Sequence, residues 1–152
     1  MKQSKPERQL QQARKQAAVF QHVRRAHQME VTEDYVELID DLIQSEGEAR
    51  LVDIASRLGI SQPTASKTLS RLQRDGFIDS QPYRSIFLTP KGRKLAVASR
   101  RRHDIVFNFL VALGVSETTA KRDSEGLEHH VSSETLSVFN NFIESRSHTG
   151  AA

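Results

Sequence analysis

The sequence predicts a mainly α-helical chain, with a winged helix–turn–helix in its N-terminal part and a second, all-helical domain behind it. Three observations predict it. Val31, Tyr35, Leu38, Ile39, Leu42 and Ile43 recur at the spacing of an amphipathic helix. The stretch LVDIASRLGISQPTASKTLSRLQRDG, residues 51–76, then reads as two helices about a tight turn at Gly59. Directly after it, FID and SIFLT are short apolar runs separated by SQPYR, which makes a two-stranded hairpin with Pro82, Tyr83 and Arg84 near its tip. A ribbon in that position is a wing.

Taken in order, residues 1–29 form a basic N-terminal extension without sustained apolar period. AAVFQHVRRAH has helical character, and the first dozen residues are expected to be disordered. Thr32 is the expected N-cap of the first amphipathic helix and Gly47 its stop. Asp34 and Glu37 lie three residues apart on it, beside the apolar stripe. Ser61 caps the second helix of the helix–turn–helix, Pro63 occupies its first turn, where a missing N–H costs nothing, and Gly76 ends it. Thr89-Pro90 opens a helix running to about Leu113, with Gly114 as its stop; it carries RRRH at 100–103 and then Val106, Phe107, Leu110 and Leu113. Ser116 caps the next segment, and a last helix, SETLSVFNNFIES, buries Leu136, Phe139 and Ile143. The expected domains are therefore 30–95 for the winged helix, 96–146 for the helical domain and 147–152 for a disordered tail. The C-terminal helices carry a second apolar patch suited to an interface.

Composition narrows the function classes. The chain has 152 residues, 37% of them hydrophobic, and no cysteine, so disulfides and thiolate metal sites are excluded. No apolar run approaches 18 residues and the N-terminus lacks the apolar core of a signal peptide, so the protein is expected to stay where it is made, away from the membrane. Charge is sorted along the chain. Residues 51–102 carry eleven Lys and Arg against three acids, whereas residues 31–50 carry one against seven. A basic middle between acidic segments points to a polyanion as partner of the middle.

Ala65, Leu69 and Leu72 face inward on the second helix of the helix–turn–helix, leaving Gln62, Thr64, Ser66, Lys67, Ser70, Arg71 and Arg74 outside. Short polar groups near the N-terminal end and cations further along are what a helix in the DNA major groove requires, since the former reach base edges and the latter neutralise phosphates. Any solvated basic helix has a similar face. The wing behind it, with Arg84 placed to reach a backbone or minor groove, raises the weight of the DNA reading.

EGLEHH, residues 125–130, holds two of the six histidines. On a helix, Glu125, Glu128 and His129 fall on one face, while His130 points elsewhere. Gly126 costs roughly 1 kcal/mol there relative to Ala, so either the helix is distorted or something needs room. A solvated charged face is the bland alternative. Together with Asp34, Glu37 and His103, however, the cluster offers six carboxylate and imidazole ligands from three segments. Such a set suits a hard, six-coordinate divalent ion such as Mn²⁺, or two ions sharing carboxylates. A dinuclear metalloenzyme would use the same ligands, but no nucleophile, phosphate loop or separate acid–base pair accompanies them.

The run TEDYVELIDDLIQSEGEARLVDIASRLGISQPTASKTL, followed by LTPKG, RRRHDIV and DSEGLEHHVS, resembles the manganese-responsive members of the diphtheria-toxin-repressor family over about residues 30–145. The resemblance implies a cytoplasmic, homodimeric, Mn²⁺-dependent regulator that binds a double-stranded operator and represses manganese uptake genes, with no organic substrate. It also implies that the first domain is the DNA-binding one and that the helical domain binds metal and dimerises. The family's metal ligands fall on Asp34, Glu37, His103, Glu125, Glu128 and His129, for one or two Mn²⁺ per chain, with Fe²⁺ as a second candidate. Iron-type relatives carry Met where this chain has Asp34 and Cys where it has Glu125; two hard carboxylates in their place favour manganese. The iron-type ancillary site needs a Glu and a His where this chain has Phe107 and Lys121, so it is expected to be missing, as is a third, SH3-like domain. A metal-independent winged-helix regulator is the alternative reading.

Overall fold

The computed structural model describes residues 4–81 and 83–149; the Pro82 expected at the wing tip lies outside them. The elements run α1 (Lys5–Glu46), α2 (Leu51–Leu58), α3 (Gln62–Arg74), β1 (Ile78–Asp79), β2 (Phe87–Leu88), α4 (Pro90–Ala112), α5 (Glu117–Leu127) and α6 (Ser133–Thr149). The two strands pair antiparallel, Ile78 with Leu88 and Asp79 with Phe87. A single bridge from Ala49 to Ile86 ties the wing to the α1–α2 loop. Among the described residues no helix is long and apolar enough to cross a membrane.

Most of the expected punctuation is present. Gly47 and Gly59 end α1 and α2 in the left-handed conformation, at φ 82° and 67°. Ser61 accepts from Thr64 N, Thr89 from Gly92 N and Ser116 from Thr119 N, so each of α3, α4 and α5 begins at its predicted cap. The beginning of the chain differs. Thr32 does not start a helix; it is buried within α1, which continues back to Lys5 through the stretch expected to be disordered. No Gly or Pro interrupts residues 7–46, and Gln, Ala, Arg and Lys dominate the early turns, so nothing breaks the helix. Its first turn is secured by Ser4 N donating to Glu7 Oε2 at 2.8 Å. Val31, assigned to the apolar stripe, is exposed. At the other end, α6 carries residues 147–149 of the expected tail as helix.

The apolar core belongs to the N-terminal half. Tyr35, Ile39 and Leu42 of α1 meet Ala49, Ile54 of α2, Leu69 and Leu72 of α3, and Ile78 and Ile86 of the wing. The C-terminal half buries smaller apolar and hydroxyl groups, Ala96 and Ser99 of α4, Val106, and Ala120 and Ser124 of α5, beside the ionisable Glu128 and His129. Leu136, Phe139 and Ile143 of α6 are half-buried rather than buried, with Phe139 stacked on Phe109 at 3.8 Å between ring centroids.

One junction aligns the two halves. Thr89 Oγ1 donates to Gly76 O at 2.6 Å, and Thr89 N donates to Phe77 O at 3.1 Å. Lys91 lies over the Phe77 ring. This approach leaves no space at Gly92, where a Cβ would stand 2.0 Å from Phe77 O. A backbone oxygen cannot rotate aside. Gly92→Ala should therefore lower stability by about 1–3 kcal/mol through overpacking, against the roughly 1 kcal/mol that Ala gains in a helix. A denaturant titration that found the variant as stable as the parent would show that α4 can start elsewhere.

Candidate metal centre

Three elements bring acids and imidazoles together: α1 with Glu33, Asp34 and Glu37, α4 with His103, and the end of α5 with Glu125, Glu128 and His129. The α5 helix does not run through the motif. It stops at Leu127, leaving Glu128 at the cap and His129 in the turn beyond. Nothing lies within 4 Å of where a Gly126 side chain would start, so the glycine makes no room for a packed neighbour; it lines a cleft that also contains Asp34, Glu37 and Glu125.

That turn drives two ionisable side chains into the interior. Glu128 is 1% exposed and His129 5%. Glu128 Oε2 lies 2.8 Å from His103 Nδ1, and its Oε1 3.3 Å from His129 Nε2. His129 Nε2 lies 3.1 Å from Asp34 Oδ1, and His103 Nδ1 3.8 Å from Glu125 Oε1. Despite these separations, Glu128 Oε1, Glu128 Oε2 and His129 Nε2 make no hydrogen bond among the described residues. Glu37 stands beside them, accepting from Ser99 Oγ at 3.0 Å. The six predicted residues are therefore neighbours: His103, Glu125 and Glu128 form one close set, His129 links Glu128 to Asp34, and Glu37 lines a cleft with Asp34 and Glu125.

The electrostatics of this cluster are unusual for an interior. Burial pushes the Glu128 carboxyl up to about 8; the His129 charge opposes the rise, and the neighbouring carboxylates of Glu37, Glu125 and Asp34 add to it. Burial by itself would lower His129. The carboxylates of Asp34 and Glu33 at its two ring nitrogens, with the charge of Glu128, outweigh that and hold it at about 10. Burial also raises Glu37, against the Ser99 hydrogen bond and the His103 charge. At neutral pH the buried Glu128 and His129 therefore both carry protons. A divalent ion is the group that such a set fits: the donors are oxygen and nitrogen only, they come from three elements, and the buried ones have no other partner.

Sequence reasoning missed the residues that hold this set in place. Glu33 is 4% exposed, and its Oε2 sits 2.6 Å from His129 Nδ1, which fixes the ring. Arg102 reaches Glu33 Oε1 and Glu128 O, both at 3.5 Å. Glu33 precedes Val36 by three residues and so shares its buried side; an acid in an apolar register was the available signal. His130 does point elsewhere, toward Glu30 and His27.

The residues expected to face DNA lie on a different surface. Gln62, Thr64, Ser66, Lys67 and Ser70 are exposed on α3, Arg71 is half-buried, and Arg84 is exposed in the wing. A groove between α3 and the wing is lined by Gln62, Ser66, Ser70, Gln73, Tyr83 and Arg84. Two hydroxyls are engaged locally, Thr64 with Ser61 and Ser70 with Ser66 O. Part of the basic middle pairs with α1 instead. Arg100 binds Asp40 at 3.1 Å and also Asp41, and Arg57 binds Glu46, so these cations neutralise α1 rather than a polyanion.

Known proteins share both halves of the chain. The family model for the N-terminal DNA-binding domain of the iron-dependent repressors matches residues 27–86, and that for their metal-binding and dimerisation domain matches residues 89–149. The transcriptional regulator MntR of Salmonella typhimurium is 59% identical over 125 residues, covering 82% of this chain and 80% of the relative. The HTH-type transcriptional regulator MntR of Geobacillus kaustophilus is 42% identical over 66% of this chain and 71% of its own. A solved manganese-dependent transcriptional repressor in complex with manganese superposes with a TM-score of 0.66 at 30% identity, over 74% of this chain. This chain spans about half the length of that protein, 52%. With two successive domain models matched and such identity to its curated relatives, the chain belongs to the iron-dependent repressor family, together with the MntR transcriptional regulators.

Proposed function

We propose that the chain is a Mn²⁺-responsive, DNA-binding transcriptional regulator, acting mainly as a repressor of manganese uptake and homeostasis genes, and working as a homodimer in the cytoplasm. One observation carries the reading: buried, hydrogen-bond-deficient atoms of Glu128 and His129 meet acids of α1, the helix whose other side forms the winged-helix core. Asp34, Glu37, His103, Glu125, Glu128 and His129 would hold the ion. When bound, Mn²⁺ would supply the positive charge that the buried Glu128 carboxyl otherwise takes from a proton.

The chain's own residues convert that charge into DNA affinity. Glu33 and Arg102 fix the His129 ring and the Glu128 backbone, so the α5 turn stays against α1 and α4. Asp34 and Glu37 share α1 with Tyr35, Ile39 and Leu42; securing them fixes how the winged helix sits on the dimerising half. In a dimer this selects one separation of the two α3 helices, matching successive half-sites of a palindrome. Metal and operator then raise each other's affinity by the same factor. Gln62, Thr64, Ser66 and Ser70 meet base edges, while Lys67, Arg71 and Arg84 contact phosphates. A metal-independent regulator would have no use for buried carboxyl oxygens without partners.

Selection from a randomised duplex pool should recover a palindrome with Mn²⁺ and none with chelator; equal recovery would leave a metal-independent regulator. In the same assay Glu125→Ala and His129→Ala should abolish the Mn²⁺ response, and Glu33→Gln, which only positions His129, should weaken Mn²⁺ binding by about 10–100-fold. A full response in a ligand variant would remove that residue from the site.

Salt dependence tests the other surface. Lys67→Ala and Arg84→Ala should each weaken binding across sequences and reduce the slope of log affinity against log salt by about 1. An unchanged slope would place that side chain away from phosphate.

Acidity provides a third test. Glu128 holds a proton below about 8 and His129 below about 10, so at neutral pH a cation must expel them to bind. Mn²⁺ affinity should rise as pH increases from 6 to 8, with proton release visible by calorimetry in buffers of different ionisation enthalpy. An affinity flat across that range would mean that neither group surrenders a proton to the ion.

A further inference from the structure

A second set of ligand atoms lies one turn earlier on α1, outside the six residues above. His27 Nδ1 is 3.4 Å from Glu30 Oε2, and the same oxygen is 3.5 Å from His130 Nε2. The two imidazoles face each other edge to face, with centroids 4.8 Å apart, and the three ligand atoms all lie within 4.8 Å of one another.

Those separations suit a metal better than a hydrogen-bonded pair. They are long for N–H to carboxylate bonds. They are close to the edge of a tetrahedron whose metal–ligand bonds are about 2.0–2.1 Å, for which two ligand atoms stand roughly 3.3 Å apart. The side chains are 65%, 28% and 33% exposed for His27, Glu30 and His130, so a water has access to a fourth position. We propose that His27, Glu30 and His130 form a separate divalent-cation site that takes Zn²⁺. Two imidazoles and one carboxylate favour Zn²⁺ over Mn²⁺, in contrast to the carboxylate-rich set nearby.

The placement gives the site a structural effect. His27 lies on the exposed N-terminal part of α1, and His130 in the turn between α5 and α6. An ion shared by them fastens the leading part of the long helix to the C-terminal half. Glu30 also lies within 4.8 Å of Asp34 and His129 in ligand atoms, so the two sites adjoin through one carboxylate. The assignment does not rest on the manganese reading, because none of its three ligands belongs to the six.

Equilibrium dialysis of the full chain against Zn²⁺, followed by counting zinc per chain, tests it. Zn²⁺ also competes for the carboxylate-rich centre, but His27→Ala leaves that centre intact, so the difference between the two proteins isolates the new site. The wild-type chain should retain one more Zn²⁺ than His27→Ala, and His130→Gln should lose the same single ion. In the wild-type protein, Zn²⁺ should shift the ring-proton NMR signals of His27 and His130 together. Equal zinc counts in wild type and His27→Ala, or ring signals of His27 indifferent to Zn²⁺, would overturn the proposal and leave Glu30 flanked by two ordinary surface histidines.

Discussion

The arrangement depends on the burial of Glu128 and His129 in the turn after α5. A carboxyl and an imidazole taken from water cost several kcal/mol unless charge and hydrogen bonds offset the loss. Apolar packing does not compensate locally, because the C-terminal half contributes mostly Ala, Ser and Val to the interior. The large apolar side chains lie in the other half, around Ile39, Leu42, Ile54 and Leu72. Beyond the tight junction of Thr89 and Gly92 with Phe77, the two halves thus meet through a polar contact whose strength varies with what neutralises it. A well-packed apolar joint would hold one geometry in all conditions; this one responds to protons and cations.

The same constraint explains the distribution of cations. Residues 51–102 are strongly basic, and counting alone assigns that charge to a polyanionic partner. Arg100 and Arg102 instead face the acids of α1, at Asp40, Asp41 and Glu33. These pairs lie in the same joint as Glu128 and His129 and reduce repulsion among the carboxylates of α1. Lys67 and Arg84, on α3 and the wing, remain on the opposite surface. One basic segment therefore serves two purposes, which only the fold separates.

Much of this was legible in the sequence because local chemistry specified it. Ser61, Thr89 and Ser116 are caps whose side chains can satisfy only nearby N–H groups, and Gly47 and Gly59 occupy backbone conformations that other residues adopt at a cost. The apolar faces of α1 and α3 likewise followed from period. The six candidate ligands were legible from residue type and from resemblance, but their convergence was not, since it depends on three helices packing together. Glu33 was passed over because one acid among seven in residues 31–50 does not stand out by residue type, and its place in the buried register of Val36 was the only sequence signal; its significance lies in a contact with His129, 96 residues away. The start of α1 was misplaced for a different reason. Thr32 is a good cap in isolation, yet capping only marks a helix start where the preceding residues fail to continue it, and AAVFQHVRRAHQ continues it well.

That continuity gives α1 its mechanical role. Forty-two residues at about 1.5 Å each make a rod of roughly 60 Å. Along it, Glu30, Asp34 and Glu37 recur at helical spacing on the side facing α5, while Tyr35, Ile39 and Leu42 recur on the side facing the winged helix. A break at Thr32 would have placed Glu30 and its neighbours on a separate, loosely attached segment. Because the backbone is a single helix, a displacement of the acids cannot be absorbed before it reaches the core residues one or two turns away. The acids and the core residues of the DNA-binding domain thus share one rigid helix, so in the proposed mechanism a cation that fixes the acids against the α5 turn also orients the winged helix.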